Sequence, residues 1–299
     1  MKLKVHEVGL RDGLQNEKQI VTFEKKLEWA EKLANSGIDI LQLGSFVNPQ
    51  KVPQMADTDK LFESFKNINH QALLSGLLLN EKGMERAVGC GVELYCMGVS
   101  ASVTHSKKNT GMTTDEALLR IIAIAKELQD NHKQVQVSIQ SAFGCGFEGK
   151  IDEIKVVEIA GKYIENGLLN ISLADTAGHA YPEQVKRLIS SVKNIEPKTI
   201  ITVHFHNTYG LGMANCYAAM SEGADVFETA FAGLGGCPFT KVVAGNVSTE
   251  DFVSALNRNN LRNDIYIDTV IEISKDAETV FGRKMESYVL NAGRLNYLR

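Results

Sequence analysis

The chain has 299 residues, 44% of them hydrophobic and 23% charged, a globular composition that excludes disordered and fibrous classes. Its formal charge of −4, without a long single-sign run, leaves no electrostatic footprint for nucleic acid or an anionic membrane as partner. The five cysteines Cys90, Cys96, Cys145, Cys216 and Cys237 are scattered, lack zinc-finger spacing, and read as reduced thiols rather than a disulfide framework. The opening M-K-L-K-V-H-E enters a strand pattern with no apolar signal core. No window approaches the roughly 18 apolar residues of a membrane span. The expected location is the cytoplasm, or a matrix reached after loss of a targeting segment.

Taken in order, K4-V-H-E-V-G9 reads as a first strand. An amphipathic stretch follows over 21–36, with Phe23, Leu27, Ala30 and Leu33 at helical spacing and Gly37 as its stop. The pattern then repeats. Strand-like runs recur at 38–44, 72–78, 92–99, 135–140, 169–174, 200–206 and 225–231, with helix-like stretches near 81–90, 114–131, 153–166, 183–194 and 211–222. Eight strands alternating with helices imply parallel pairing, because each crossover returns the chain to the same edge. Eight is also the number that closes a barrel, and no Pro/Gly/Ser linker splits the chain. An open doubly wound sheet is the rival, but G-x-G-x-x-G is missing after the first strand. The expected fold is a single α/β domain, a (β/α)8 TIM barrel over about 3–260 with a helical C-terminal appendage over about 261–299.

In such barrels the reactive groups sit at the C-terminal strand ends. Here those ends carry Gly9-Leu10-Arg11-Asp12, Gln42-Leu43-Gly44-Ser45, Ala174-Asp175-Thr176 and His204-Phe205-His206-Asn207, and the last strand runs into A232-G-L-G-G-C-P-F239. His204 and His206 lie two apart, so both imidazoles leave one face of the strand. As an isolated pair they are explained as well by solvation or hydrogen bonding. Opposite Asp12, with only strand 8 between their strands, they become ion ligands. Adding the amide of Asn246 gives a mixed nitrogen and oxygen set suited to Mg2+ or Mn2+ rather than to structural zinc. Arg11 either closes the barrel end in a salt bridge or steadies negative charge on a bound oxygen. Asp175 is a structural acceptor or a general base. Cys237 is a small buried hydrophobe or a thiol placed for chemistry by glycines that permit close ligand approach.

These residues together resemble the 3-hydroxy-3-methylglutaryl-CoA lyases, within the metal-dependent TIM-barrel group that also holds isopropylmalate and homocitrate synthases. The likeness rests on V8-G-L-R-D-G-L-Q-N-E17, G44-S-F-V-N-P49, V52-P-Q-M55, S172-L-A-D-T176, H204-F-H-N-T-Y-G210, the glycine-cysteine loop and G245-N-V-S-T-E-D251. It implies cleavage of the C2–C3 bond of a 3-hydroxy-3-methylglutaryl thioester into acetoacetate and acetyl-CoA. It also implies that Asp12, His204, His206 and Asn246 hold Mg2+ or Mn2+ and that Arg11 stabilises the enolate. Asp175 and His204 would act in proton transfer at the hydroxyl, and Cys237 would move a proton at carbon. Gln15, Gln42, Ser45, Gln140, Thr176 and Lys241 are the expected substrate contacts, an acyl-CoA the expected small-molecule partner, and a homodimer the expected assembly.

Three positions depart from the pattern of these lyases. Gln42 stands where they carry glutamate, Gln140 where a small serine is usual, and T240-K-V-V-A244 where a glycine-containing stretch is usual. Glutamine keeps hydrogen-bonding capacity but carries no charge. The expectation is a retained reaction with activity on the standard substrate reduced or redirected toward a related hydroxyacyl-CoA. Two alternatives remain: a condensing synthase of the same group using acetyl-CoA and a 2-oxo acid, and a catalytically silent metal-binding scaffold.

Overall fold

The computed structural model describes residues 3–236 and 245–295. Cys237 and Lys241 lie outside them. Eight strands, β1 (Lys4–Glu7), β2 (Ile40–Ser45), β3 (Leu73–Leu77), β4 (Leu94–Ser100), β5 (Gln134–Gln140), β6 (Asn170–Asp175), β7 (Ile200–Phe205) and β8 (Val226–Thr229), follow one another around a closed parallel barrel. Closure is made by β1 against β8, with His6 opposite Glu228. The chain thus forms the expected (β/α)8 barrel.

Side-chain alternation explains why these runs are strands. In Q134-V-Q-V-S-I-Q140, Gln136, Ser138 and Gln140 line the barrel cavity while Val137 and Ile139 are fully buried in the shell beneath the helices. Inside the barrel, Ile40, Leu94, Cys96 and Val226 pack with Leu73 and Leu77 as a small apolar cluster that borders the cavity through Cys96 and Leu77. Above it the interior is polar, where many barrels place branched aliphatics.

Helices cover the outside. Phe23–Ala34 starts at Thr22, whose hydroxyl accepts the Lys25 N–H. Thr114–Asp130 starts at a capping box made by Thr113 and Glu116. Glu153–Glu165, Pro182–Ile195, Gly212–Ser221 and Thr249–Arg258 complete the later crossovers. Two short helices, Thr58–Phe65 and Val103–Thr110, fall outside the sequence expectation. They are only two turns long, too short for a clear period.

The C-terminal appendage is helical, with Ile267–Phe281 followed by Tyr288–Ala292. It docks on the first outer helix, where Asp276 accepts from Trp29 Nε1 at 2.7 Å and Lys25 Nζ at 2.9 Å. Ser274 from the same helix accepts the Ala232 N–H at 3.0 Å. Trp29 packs edge-on against Phe231, with centroids 5.4 Å apart. Trp29→Ala would cost about 3–5 kcal/mol. The appendage therefore buttresses the base of the glycine-rich loop.

Candidate active site and metal centre

β1 runs into a π-helical turn, Gly9–Gly13, in which the Val8 carbonyl accepts the N–H groups of Arg11 and Asp12 at 3.1 and 2.8 Å. This tight turn, of a type frequent at functional sites, points both side chains into the barrel mouth. Arg11 donates to Asp12 Oδ1 at 2.5 Å, and its Nε donates to Gln42 Oε1. Asp12 Oδ2 accepts from Asn246 Nδ2 at 2.8 Å. Loss of solvent works against the Asp12 carboxylate, but Arg11, then the two histidines and Asn246, outweigh it and hold its pKa well below the usual carboxylate range.

His204 and His206 leave β7 on the side facing Asp12. Their Nε2 atoms are 2.9 Å apart, and each is 3.9 Å from Asp12 Oδ2. Behind them, His204 Nδ1 is 3.0 Å from Glu228 Oε2, and Glu228 Oε1 accepts from Gln136 Nε2 at 2.6 Å. Burial disfavours charge on His204, but the Glu228 hydrogen bond and the Asp12 and Glu228 charges prevail and raise its pKa. Burial and the neighbouring His204 pull His206 down to about 4. Of the pair, His204 is the one whose environment favours the protonated form.

Oxygen and nitrogen donors of Asp12, His204 and His206 lie within 4.8 Å of one another. Asn246 Oδ1, also buried, has no hydrogen-bond partner among the described residues. Converging imidazoles, a carboxylate and an unpartnered amide oxygen fit a divalent cation with mixed ligands. Glycine makes the arrangement possible. Gly235 has φ +110°, and a Cβ there would come within 2.5 Å of Asn246 Nδ2 and 3.4 Å of Asp12 Oδ2.

Comparison with known proteins bears on this geometry. The HMGL-like family profile matches residues 2–277. The chain belongs to the HMGL-like family. The human mitochondrial protein named hydroxymethylglutaryl-CoA lyase is 35% identical over 294 residues, covering 97% of this chain and 89% of the human one. A Pseudomonas aeruginosa protein named 3-hydroxy-3-isohexenylglutaryl-CoA/hydroxy-methylglutaryl-CoA lyase is 32% identical, covering 97% of both chains. Among solved structures, an HMG-CoA lyase from Acinetobacter baumannii in complex with coenzyme A and 3-methylmalate superposes with a TM-score of 0.91. It is 37% identical and covers 100% of this chain and 97% of its own.

In this HMGL-like chain one cavity of about 450 Å3 gathers Arg11, Asp12, Gln15, Gln42, Gln140, Thr176, His204 and His206. Asn246 reaches the same cluster through Asp12. Besides Asn246, two of the expected residues do not line that cavity. Ser45 is fully buried, and its hydroxyl has no partner among the described residues. Asp175 lies behind Ala174 and Thr176, with its oxygens accepting the N–H groups of His179 at 2.8 Å and Ala180 at 3.2 Å. Burial, only partly offset by these N–H groups, pushes its pKa up to about 7.

The site also contains residues that sequence patterns passed over. Glu228 reads simply as part of an eighth strand, yet it is buried and anchors His204. Loss of solvent would raise its pKa, but its hydrogen bond to His204 and the nearby His6 charge outweigh that and lower it to about 2. His6 Nε2 lies 2.8 Å from Ser75 Oγ, and its Nδ1 is 3.6 Å from Glu228 Oε1. The available signal was alternation, since Val226 and Glu228 share the inward face of β8 and a carboxylate is out of place there unless paired.

Proposed function

We propose that the chain is a divalent-metal-dependent carbon–carbon lyase that cleaves 3-hydroxy-3-methylglutaryl-CoA, or a closely related branched 3-hydroxyacyl-CoA, to acetyl-CoA and a keto acid. The observation that carries this is the convergence of Asp12, His204 and His206 beside Arg11 at one cavity of an HMGL-like barrel. Asp12, His204, His206 and Asn246 would hold Mg2+ or Mn2+, which supplies Lewis-acid polarisation of the substrate oxygens.

The chain's own residues divide the remaining work. The tertiary hydroxyl loses its proton, the C2–C3 electron pair passes to C2, and C3 becomes a ketone. Arg11 stabilises the negative charge on the thioester enolate oxygen, turning its guanidinium from Gln42 toward substrate. Cys237 then gives C2 its proton. Two groups compete as acceptor of the hydroxyl proton. His204 faces the cavity, but Glu228 occupies Nδ1, so Nε2 is its single nitrogen for either ligation or proton transfer. Asp175 has the matching acidity, near 7, and becomes the acceptor if its loop N–H bonds loosen on binding. In either case Glu228 orients the imidazole.

The test is incubation of purified protein with 3-hydroxy-3-methylglutaryl-CoA and either ion, following acetyl-CoA and acetoacetate. Metal-dependent release of both supports the proposal. Condensation of acetyl-CoA with 2-oxo acids in place of cleavage points to the synthase alternative, and absence of any metal-dependent turnover to a silent scaffold. Homodimeric assembly, implied by the family resemblance, is checked by light scattering, and a cytoplasmic location by fractionation.

A further inference from the structure

The wall facing the ion cluster across the barrel is chemically distinct. β5 stands four strands from β1 in the closed ring. There Gln136, Ser138 and Gln140 line the cavity, flanked by Cys96 of β4 and Ser172 of β6. All five are neutral hydrogen-bonding or thiol side chains. Gln136 is fixed, since its Nε2 donates to Glu228 at 2.6 Å and its Oε1 faces Cys96 Sγ at 3.8 Å. Gly98 keeps the niche for Ser138 open, because a Cβ there would lie 2.0 Å from Ser138 Oγ. Ser172 Oγ is buried and has no hydrogen-bond partner among the described residues.

Charge around the cavity narrows what this wall accepts. Among the described residues, its lysine and arginine lining is Arg11, Lys51 and Arg120. Arg11 is held by Asp12 and Gln42, Arg120 by Glu81, and Lys51 lies on the exposed rim. None of them stands on β5. A carboxylate pressed toward Gln136 would approach the buried Glu228 carboxylate, to which Gln136 is bonded. A hydrocarbon would strip water from hydroxyl and amide groups and return no hydrogen bond.

Resting on the lyase reading above, we propose that the β5 wall is the subsite for the C3 substituent pointing away from Arg11 and Asp12. It selects a short, uncharged group bearing its own hydrogen-bonding oxygen, such as hydroxymethyl, over methyl or a longer hydrocarbon. Hydrogen-bonding sites discriminate against analogues that lack the partner group more strongly than apolar pockets discriminate by size.

The experiment compares kcat/KM for 3-hydroxy-3-hydroxymethylglutaryl-CoA, 3-hydroxy-3-methylglutaryl-CoA and the isohexenyl analogue, in the wild type, Gln140→Leu and Ser138→Ala. The expected wild-type preference for hydroxymethyl over methyl is about tenfold or more, with isohexenyl last. Each variant should bring that ratio toward one, and Gln140→Leu should favour the isohexenyl substrate. The ratio is internal to each protein, so partial loss of folded enzyme does not disturb it. Cleavage of the first two thioesters with equal efficiency, or with methyl preferred, overturns this inference and leaves the lyase reading standing. Cleavage of none of the three, with either ion, overturns both.

Discussion

The two halves of the barrel's inner wall share a backbone pattern and differ in what they do with charge. On β7, β8 and β1, His204, His206, Glu228, His6 and, just beyond the strand, Asp12 and Arg11 form one connected electrostatic unit, each group held by an oppositely charged or hydrogen-bonding neighbour. On β4, β5 and β6 the polar groups lining the cavity are amides, hydroxyls and a thiol, set beside Met97 and Ala174. Buried charge is tolerated only where it is paired, so a barrel that concentrates charge on one side must keep the other side neutral or supply further counter-charges. The charged half holds and polarises, and the neutral half selects. Gln136 links them through its bond to Glu228.

The sharpest way to break this division is Asp12→Ala. It removes a ligand, the counter-charge of Arg11 and the acceptor for Asn246 at once. Divalent binding measured by calorimetry should disappear, and turnover should fall at least about 10³-fold, or about 4 kcal/mol at 1.36 kcal/mol per decade. Retained metal-dependent turnover would move the ion site elsewhere. Asp175→Asn comes next. As proton acceptor, Asp175 is worth about 10²–10⁴ in kcat with metal affinity intact. If it only holds the loop after β6, the loss appears in melting temperature and leaves kcat almost unchanged.

Glu228→Gln tests whether the charged half is one unit. The variant keeps the shape but loses the charge that fixes His204, so metal affinity should weaken by about 10–100-fold. The pH dependence has a defined sign. The raised pKa of His204 means that ligand binding must displace a proton, so wild-type metal affinity rises with pH through neutrality. In Glu228→Gln that dependence should shift to lower pH, because the hydrogen bond and charge that favour the imidazolium are gone. An unchanged affinity and pH profile would reduce Glu228 to packing.

Much of this is legible in the sequence itself. Alternating strand and helix periods placed all eight strands within a few residues, because each face repeats every second residue and the outer face is mostly apolar. The strand-end rule then brought Arg11, Asp12, His204 and His206 to one mouth. What escaped has physical reasons too. Thr58–Phe65 and Val103–Thr110 are too short to show a period. The π-helical turn at Gly9–Gly13 depends on a single carbonyl, that of Val8, collecting several N–H groups, which no residue pattern announces. Glu228 sits 24 residues from the histidine it anchors, and only the register of β8 on β7 places the two opposite each other. Asp175 was legible only as a strand-end carboxylate, because the His179 and Ala180 N–H groups that its oxygens accept lie four and five residues further along the following loop.

Gln42→Glu sharpens the comparison from the boundary between the halves. Gln42 is buried on β2 and accepts from Arg11 Nε. A carboxylate there would extend the charged half by one strand and pair with the guanidinium through a charge-assisted bond. Cleavage of 3-hydroxy-3-methylglutaryl-CoA should rise by up to about tenfold, the scale of one such bond. A gain confined to that thioester locates selectivity at β2, whereas an equal change in every thioester assigns it to the ion or to Arg11.

The smallest effect concerns carboxyls outside the cavity. Glu7 Oε1 accepts the N–H groups of Gly9 at 2.6 Å and Phe231 at 3.1 Å, and its other oxygen accepts from Thr249 Oγ1. One carboxyl thereby ties the turn carrying Asp12 to the base of the glycine-rich loop. Burial, only partly offset by these donors, raises its pKa to about 8. Glu250, beneath Ala232, is raised to about 7, again chiefly by burial. A carboxyl whose folded pKa exceeds its unfolded value binds more protons in the native state, so its contribution to stability is greatest at low pH and is lost as pH climbs through the folded pKa. Asp12 and Glu228, with lowered pKa values, have the opposite sign, but their window lies in the acid range. Between pH 7 and 8.5 the melting temperature should therefore fall, by roughly 2–4 °C for each kcal/mol lost. Glu7→Gln, which cannot ionise, should flatten that slope even if it lowers the melting temperature at pH 7. A slope left unchanged by the substitution would remove Glu7 from the titration and leave it to Glu250 or another group.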